Sequence, residues 1–232
     1  MSRSPLATHG WAPGPDNLPA MEGRFAGWKG DFQGYFLGLR ADNSKAYFEA
    51  HRRQYDEEVK GPMVALLADL ESEFGPARLS RPNRDIRFSA DKSPYKTNIY
   101  ADASGGGYVA LDATGLVAAG GRYMMDALQL ARFREAIAAD ATGRELVAIV
   151  TRLREKKYEM GGLELKRVPP PHSQEHPRGE LLRHKRLIYW RRWEVGPWIA
   201  TAEARERVAH AWRDGAELNA WLTPPALADL VS

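Results

Sequence analysis

The apolar residues of this 232-residue chain change their spacing twice, and that change limits the fold more than any other feature. A spacing of three to four residues, typical of helices, runs from Asp31 to Phe74 and returns after Asp126. Between Ala77 and Tyr123 the spacing drops toward two, and β-branched and aromatic residues mix with glycine. Strands grouped between helices predict an α+β fold: a single domain with a mostly antiparallel central sheet and helices from both the N-terminal and C-terminal parts.

The individual elements follow from the same pattern. We predict strands over residues 85–88, 97–101, 108–111, 116–119 and 184–193. The sequence Asp112-Ala113-Thr114-Gly115 is typical of a hairpin turn. Helices are predicted over residues 31–39, 44–59, 62–74, 126–142, 144–153, 179–183 and 203–221. Gly61-Pro62 and Gly143 are predicted to separate consecutive helices.

The two ends of the chain differ in composition from its middle. Residues 1–24 are rich in proline and glycine and predict a disordered tail, and residues 223–232 predict a short C-terminal tail. The single domain is therefore expected over residues 25–222. The tail lacks the apolar stretch of a secretory signal, and Met21 is a candidate alternative start site.

Several classes of protein are excluded or disfavoured by what the chain lacks. It has no cysteine, which excludes thiol catalysis and disulfide frameworks and fits a cytoplasmic location. No run of about 18 apolar residues occurs, so we expect no membrane partner. Phosphate-loop, zinc-protease and serine-hydrolase motifs are absent, and prolines surround His172 and His176. We therefore predict neither a cofactor nor a metal.

Positive charge is concentrated in the middle of the chain. Residues 81–100 contain five cationic side chains and only Asp85 and Asp91 as acids, a net charge of +3. Arginine suits planar, bidentate contacts with phosphate or carboxylate. If these cations share a concave surface, their mutual repulsion favours a bound anion. The alternative is a structural network of ion pairs.

The same segment carries a resemblance to a known family. Residues 84–97, with the sequence RDIRFSADKSPYKT, closely resemble the signature of the domain of unknown function 2461 family. Further stretches are similar to it: residues 36–48, 106–108, 120–123, 165–169 and 180–183. Tyr47 stands where that family usually has tryptophan, and Met125 where a proline is common. The resemblance implies one domain over residues 30–222 and points to the segment 84–97, but it implies no reaction.

These observations predict that the protein binds a small anionic ligand, bearing phosphate or carboxylate, around residues 84–96. The candidate ligand-binding residues are Arg84, Arg87, Lys92, Lys96, Tyr95 and Tyr123. One alternative is a cofactor-independent enzyme acting on a phosphorylated substrate, with Asp85 or His51 as the base. Another is a nucleic-acid-binding protein that uses the basic and aromatic residues 183–193.

Overall fold

The computed structural model describes residues 24–223. Apart from Arg24 and Thr223, both predicted tails lie outside the described residues, and so does Met21. Within the described part, the chain is a single α+β domain with one antiparallel sheet, which confirms the predicted fold class. None of its helices combines the length and the apolar character that a membrane span requires.

The N-terminal part is helical, as predicted. Its helices are α1 (Phe32–Ala41), α2 (Lys45–Ala50), α3 (Arg52–Gln54), a π-helical segment (Tyr55–Lys60) and α4 (Gly61–Phe74). Asp31 caps α1 by accepting from the amide of Gly34, and Ser44 caps α2 by accepting from that of Tyr47. The predicted boundary at Gly61-Pro62 is the point where α4 begins, but the chain stays helical there because the π-helical segment runs directly into α4. Pro62 lies in the first turn of α4, directly after the widened π-helical turns of residues 55–60.

Within residues 24–223, six antiparallel strands form one sheet in the order β1-β2-β3-β4-β6-β5. Their bounds are β1 (Ala77–Leu79), β2 (Asn98–Ala103), β3 (Gly107–Asp112), β4 (Gly115–Arg122), β5 (Glu159–Leu163) and β6 (His184–Glu194). The predicted turn between β3 and β4 is present. Its Asp112 side chain accepts from the amide of Thr114 at 2.7 Å, and Gly115 adopts a φ of 151°.

Three strand assignments differ from the prediction. Residues 85–88 form no strand, because the chain there leaves β1 and returns to β2 as a loop. The strand β1 has only three residues, too few to display alternation. The strand β5 contains Gly161 and Gly162 and an irregular register at that point, so it lacks the β-branched residues that mark a strand in sequence.

The remaining helices follow the sheet. They are α5 (Ala127–Ala138), α6 (Asp140–Glu155), α7 (Gly179–Leu182), the 3-10 turn Pro197–Ala200, α8 (Glu203–Asp214) and α9 (Ala216–Trp221). The boundary between α5 and α6 lies at Ala139, not at Gly143 as predicted. The backbone of Ala139 is extended, whereas Gly143 lies within α6. The predicted last helix is divided at Gly215, where an added Cβ would lie 1.9 Å from the ring of Tyr189.

The sheet separates two apolar clusters of very different size. The main core lies between the helices and one face of the sheet, which contributes Ile99, Val109, Leu111, Leu116 and Tyr189. Every second residue of the same strands points to the other face, where a small second cluster lies. All members of that second cluster belong to the sheet itself. Among the described residues, the helices therefore cover one face and leave the other open.

Candidate functional site

The segment that carries most of the predicted site is the loop between β1 and β2. Its two arms pair with each other: the amide of Arg84 donates to the Pro94 carbonyl at 2.8 Å, and that of Lys96 to the Pro82 carbonyl at 2.8 Å. An isolated bridge joins Asn83 to Tyr95. The loop between β1 and β2 is thus long, and hydrogen bonds between its two arms close it near the edge of the sheet.

A polar clamp fixes the returning arm of this loop to the helical layer. The Asn43 side chain accepts from the Tyr95 amide at 2.9 Å and donates to the Tyr95 carbonyl at 3.1 Å. The Tyr95 ring is buried and stacks on Phe48 with a centroid distance of 4.2 Å. Tyr95 therefore anchors the loop in the core, although sequence reasoning placed it among the ligand-binding residues.

Arg84 is paired inside the loop. Its guanidinium forms an ion pair with Asp91 and also donates to the Ser93 carbonyl at 3.3 Å. The pKa of Asp91 falls to about 2, first because Ser93 hydrogen bonds to its carboxylate and second because Arg84 lies beside it. The pair bridges the two arms and holds Arg84, half-buried, at the base of the loop.

The tip of the loop carries two more of the predicted cationic residues, Arg87 and Lys92. Arg87 donates to Asp85 in a fork, at 3.0 Å from Nε and 2.7 Å from Nη2. Lys92 donates to the Ile86 carbonyl at 3.0 Å. Phe88 lies between them in sequence and is 96% exposed, with the Arg87 guanidinium 5.9 Å from its ring centroid. The Arg87 charge is thus offset by Asp85.

Lys96 lies where the loop meets the sheet. Its ammonium group donates to the carbonyls of Arg81 and Asn83 and lies 5.5 Å from the ring centroid of Tyr100. Partial burial lowers its pKa from 10.5 to about 8, and repulsion from Arg81 and Arg84 adds to this. Within residues 24–223, no carboxylate pairs with Lys96 or Arg81. We call Arg81, Arg84 and Lys96 the basic cluster.

The open face of the sheet begins next to the basic cluster. Three aromatic side chains, those of Tyr100, Tyr108 and Trp190, pack over a floor of three small buried residues, which are Ala110, Val117 and Ala119. The two tyrosine rings stack with their centroids 5.7 Å apart. We call these six residues the aromatic face.

Charged residues flank the aromatic face. Asp102 faces Arg78 across β1 and β2 and faces Tyr108 across β2 and β3. Its pKa is raised, because the side chain is partly withdrawn from water. At the other end Arg192 donates to both carboxylate oxygens of Asp112, at 3.1 and 3.0 Å.

The other predicted residues lie elsewhere. Tyr123 follows the last residue of β4, whereas Lys96 precedes the first residue of β2, so they lie at opposite ends of the sheet. The Arg186 guanidinium lies 4.6 Å from the Tyr123 ring centroid, beside a groove of about 670 Å³. His51 stacks on Tyr47 with a centroid distance of 3.9 Å.

Sequence reasoning did not single out Tyr100, Asp102 or Arg81 as site residues. The signal present was a period of two in which Tyr100 and Asp102 alternate with Ile99 and Ala101. Within the basic strand β6, Trp190 and Arg192 face the open side and Tyr189 the core, so its two faces have different roles.

The chain is therefore a two-layer α+β protein with an open, aromatic sheet face beside a basic loop. The family model described as "Conserved hypothetical protein (DUF2461)" matches residues 32–221, most of the chain, and the chain belongs to that family. A search of the curated proteins found no match, and a search of the solved structures found none either.

Proposed function

We propose that this protein binds a small anionic ligand, bearing phosphate or carboxylate, at the basic cluster. The observation that carries the proposal is the convergence of Arg81, Arg84 and Lys96 where the loop joins the sheet, with Asp91 as the one carboxylate that the described residues place in an ion pair there. Three cations against one carboxylate leave an excess of positive charge. A bound anion would relieve that repulsion and favour the protonated form of Lys96.

The rest of the loop supports this position of the site. Arg87 is neutralised by Asp85, and Lys92 donates to a backbone carbonyl of the tip. Lys96 and Arg84, by contrast, are held at the base by backbone pairing and by the Asn43 clamp. Preorganised cations bind an anion at a lower cost in conformational entropy than mobile ones.

Neither of the candidate catalytic bases, Asp85 and His51, is placed to act as a base at the basic cluster. The Asp85 carboxylate is engaged by Arg87. The Nδ1 atom of His51 lies 2.9 Å from the Tyr47 carbonyl oxygen, and the ring stacks on Tyr47. Ligand binding therefore has more support here than catalysis.

Calorimetric titration with inorganic pyrophosphate and with sulfate tests the proposal. We expect Lys96→Gln to weaken binding by about tenfold or more, since a charge-assisted contact contributes roughly 1.5–3 kcal/mol. Arg81→Gln removes a cation without removing the bonds that Lys96 makes to the backbone, and it should also weaken binding. The control is Lys92→Gln, which removes a cation from the tip of the same loop. Equal affinity in all three variants would contradict the proposal.

A further inference from the structure

The aromatic face has a composition that an ordinary solvated sheet face does not have. Antiparallel sheets commonly place polar residues on their open side. Here the centre of the open side holds Tyr100, Tyr108 and Trp190 over a floor of alanine and valine. No side chain from a helix of the described residues belongs to this cluster. A contiguous apolar patch on a sheet face that no described helix covers marks a binding site more often than chance placement.

The register sets the spacing of the rings. Tyr108, Ala119 and Trp190 lie side by side on three adjacent strands. The backbones of Tyr108 and Trp190 are thus about 9.5 Å apart, twice the spacing of neighbouring strands. Ala119, which has a single methyl group as its side chain, lies between them. The two large side chains therefore flank one small residue on the open face, and both are half-buried.

Flat aromatic surface selects flat ligands. A planar heteroaromatic ring stacks favourably on tyrosine and tryptophan, whatever its sequence of polar substituents, because every such ring has a π-face. The rims of such rings and of sugars carry polar groups that need partners. Asp102, facing Tyr108 across the strands, offers a carboxylate as acceptor.

The charges around the aromatic face argue against a long polyanion. In the described part of the chain, Arg78 and Arg192 are accompanied there by carboxylates, among them Asp102, Asp112 and Glu159. Binding of single-stranded nucleic acid relies on a continuous basic path along the backbone. The positive charge is instead concentrated at one end, where the Lys96 ammonium lies 5.5 Å from the Tyr100 ring. This arrangement matches a ligand with one ring and one anionic group.

We propose that the aromatic face binds the planar ring of a phosphorylated compound of mononucleotide size, whose phosphate is held by Lys96 and its arginine neighbours. The inference rests on the proposed anion site and names the ligand class for it. Tyr100 connects the two parts, because its ring contacts both Lys96 and Tyr108. Stacking and charge pairing then act on opposite ends of one molecule.

Titration of the full chain with four probes separates the two parts of this proposal. The probes are inorganic phosphate, adenosine, adenosine 5′-monophosphate and an oligoadenylate. We expect the monophosphate to bind at least about tenfold more tightly than inorganic phosphate, the difference that stacking of one ring supplies. We expect Trp190→Leu and Tyr108→Leu to abolish that difference while phosphate binding is unchanged. Tyr108→Phe keeps the aromatic ring, so this variant should still bind the monophosphate more tightly than inorganic phosphate.

The matched control is Trp193→Leu, because Trp193 lies on the same strand but packs against the core on the opposite face. It should preserve the preference for the monophosphate. If phosphate binding depends on Lys96 but the adenine ring adds no affinity, the proposed role of the aromatic face is wrong and the proposed anion site is retained. If no probe depends on Lys96 for binding, both proposals are wrong. Tighter binding of the oligoadenylate with a steep salt dependence would overturn the inference in favour of nucleic acid.

Discussion

The two faces of the central sheet are built from the same strands and yet differ in almost every property. On the covered face, Leu111 and Leu116 are fully buried opposite each other, beneath the helices. On the open face, Tyr108 of the same strand is only half-buried, and the described members of its cluster all belong to the sheet. Since alternate residues of one strand serve the two faces, single substitutions can separate packing in the core from the proposed ligand binding.

Truncation of a leucine on the covered face should reduce stability most. Leu111→Ala should lower the free energy of unfolding by about 3 kcal/mol, because it leaves a cavity in a fully buried site. Tyr108→Leu, on the same strand and the open face, should cost about 1 kcal/mol or less. Urea denaturation followed by circular dichroism measures both values. A greater loss for Tyr108→Leu would mean that the open face is part of the stabilising core.

Two glycines that face tryptophan rings provide a second comparison. A Cβ at Gly107 would lie 2.5 Å from Trp212, a buried ring that donates to the Tyr108 carbonyl. A Cβ at Gly161 would lie 2.6 Å from Trp190 on the open face. We expect Gly107→Ala to cost about 2 kcal/mol because Trp212 is confined, and Gly161→Ala about half as much or less. Equal costs in thermal unfolding would contradict the difference in confinement.

The clamp on the basic loop should have a smaller effect on stability. Asn43→Ala removes two hydrogen bonds to the backbone of Tyr95 and should lower the free energy of unfolding by about 1.5 kcal/mol. Because Lys96 directly follows Tyr95, sulfate binding should also weaken. The neighbouring, exposed Asp42→Ala is the control, with a cost of about 0.5 kcal/mol or less. An Asn43→Ala variant with unchanged sulfate affinity would show that the clamp does not preorganise the basic cluster.

The smallest effect concerns protons on Lys96. Its pKa in the folded protein is about 8, below the ordinary 10.5, so it loses its charge as the pH rises through about 8. Sulfate affinity should fall over that range, and Lys96→Gln should be nearly insensitive. Between about 8 and 10.5 the unfolded chain holds the proton that the folded chain has lost, so this group makes stability rise with pH. Sulfate affinity that falls equally in both proteins would assign the effect to another group.

Much of the fold could be predicted from local patterns. The stripe from Met63 to Leu70 and the turn at Asp112 are encoded by neighbouring residues, and both are present. The strand β1 could not be predicted, because its three residues become a strand only by pairing with β2. Likewise, the break at Ala139 depends on tertiary contacts: the buried Arg178 donates to the carbonyls of Ile137 and Ala138 at the end of α5.

The site could be predicted only in part, for a related reason. Excess positive charge marked the segment that contains Lys96, and the basic cluster lies there. The sequence could not indicate which cations would be neutralised, since Arg84 meets Asp91 only after the loop turns back. The aromatic face requires the register of three strands before Tyr108 and Trp190 become neighbours of one alanine.

Nuclear Overhauser effects between adenosine 5′-monophosphate and the labelled protein test whether one ligand spans the aromatic face and the basic cluster. We expect contacts from the adenine protons to Tyr108 and Trp190, and a shift of the Lys96 ammonium resonance, with the indole of Trp193 unaffected. Contacts confined to other surfaces, such as the groove beside Tyr123, would contradict the account.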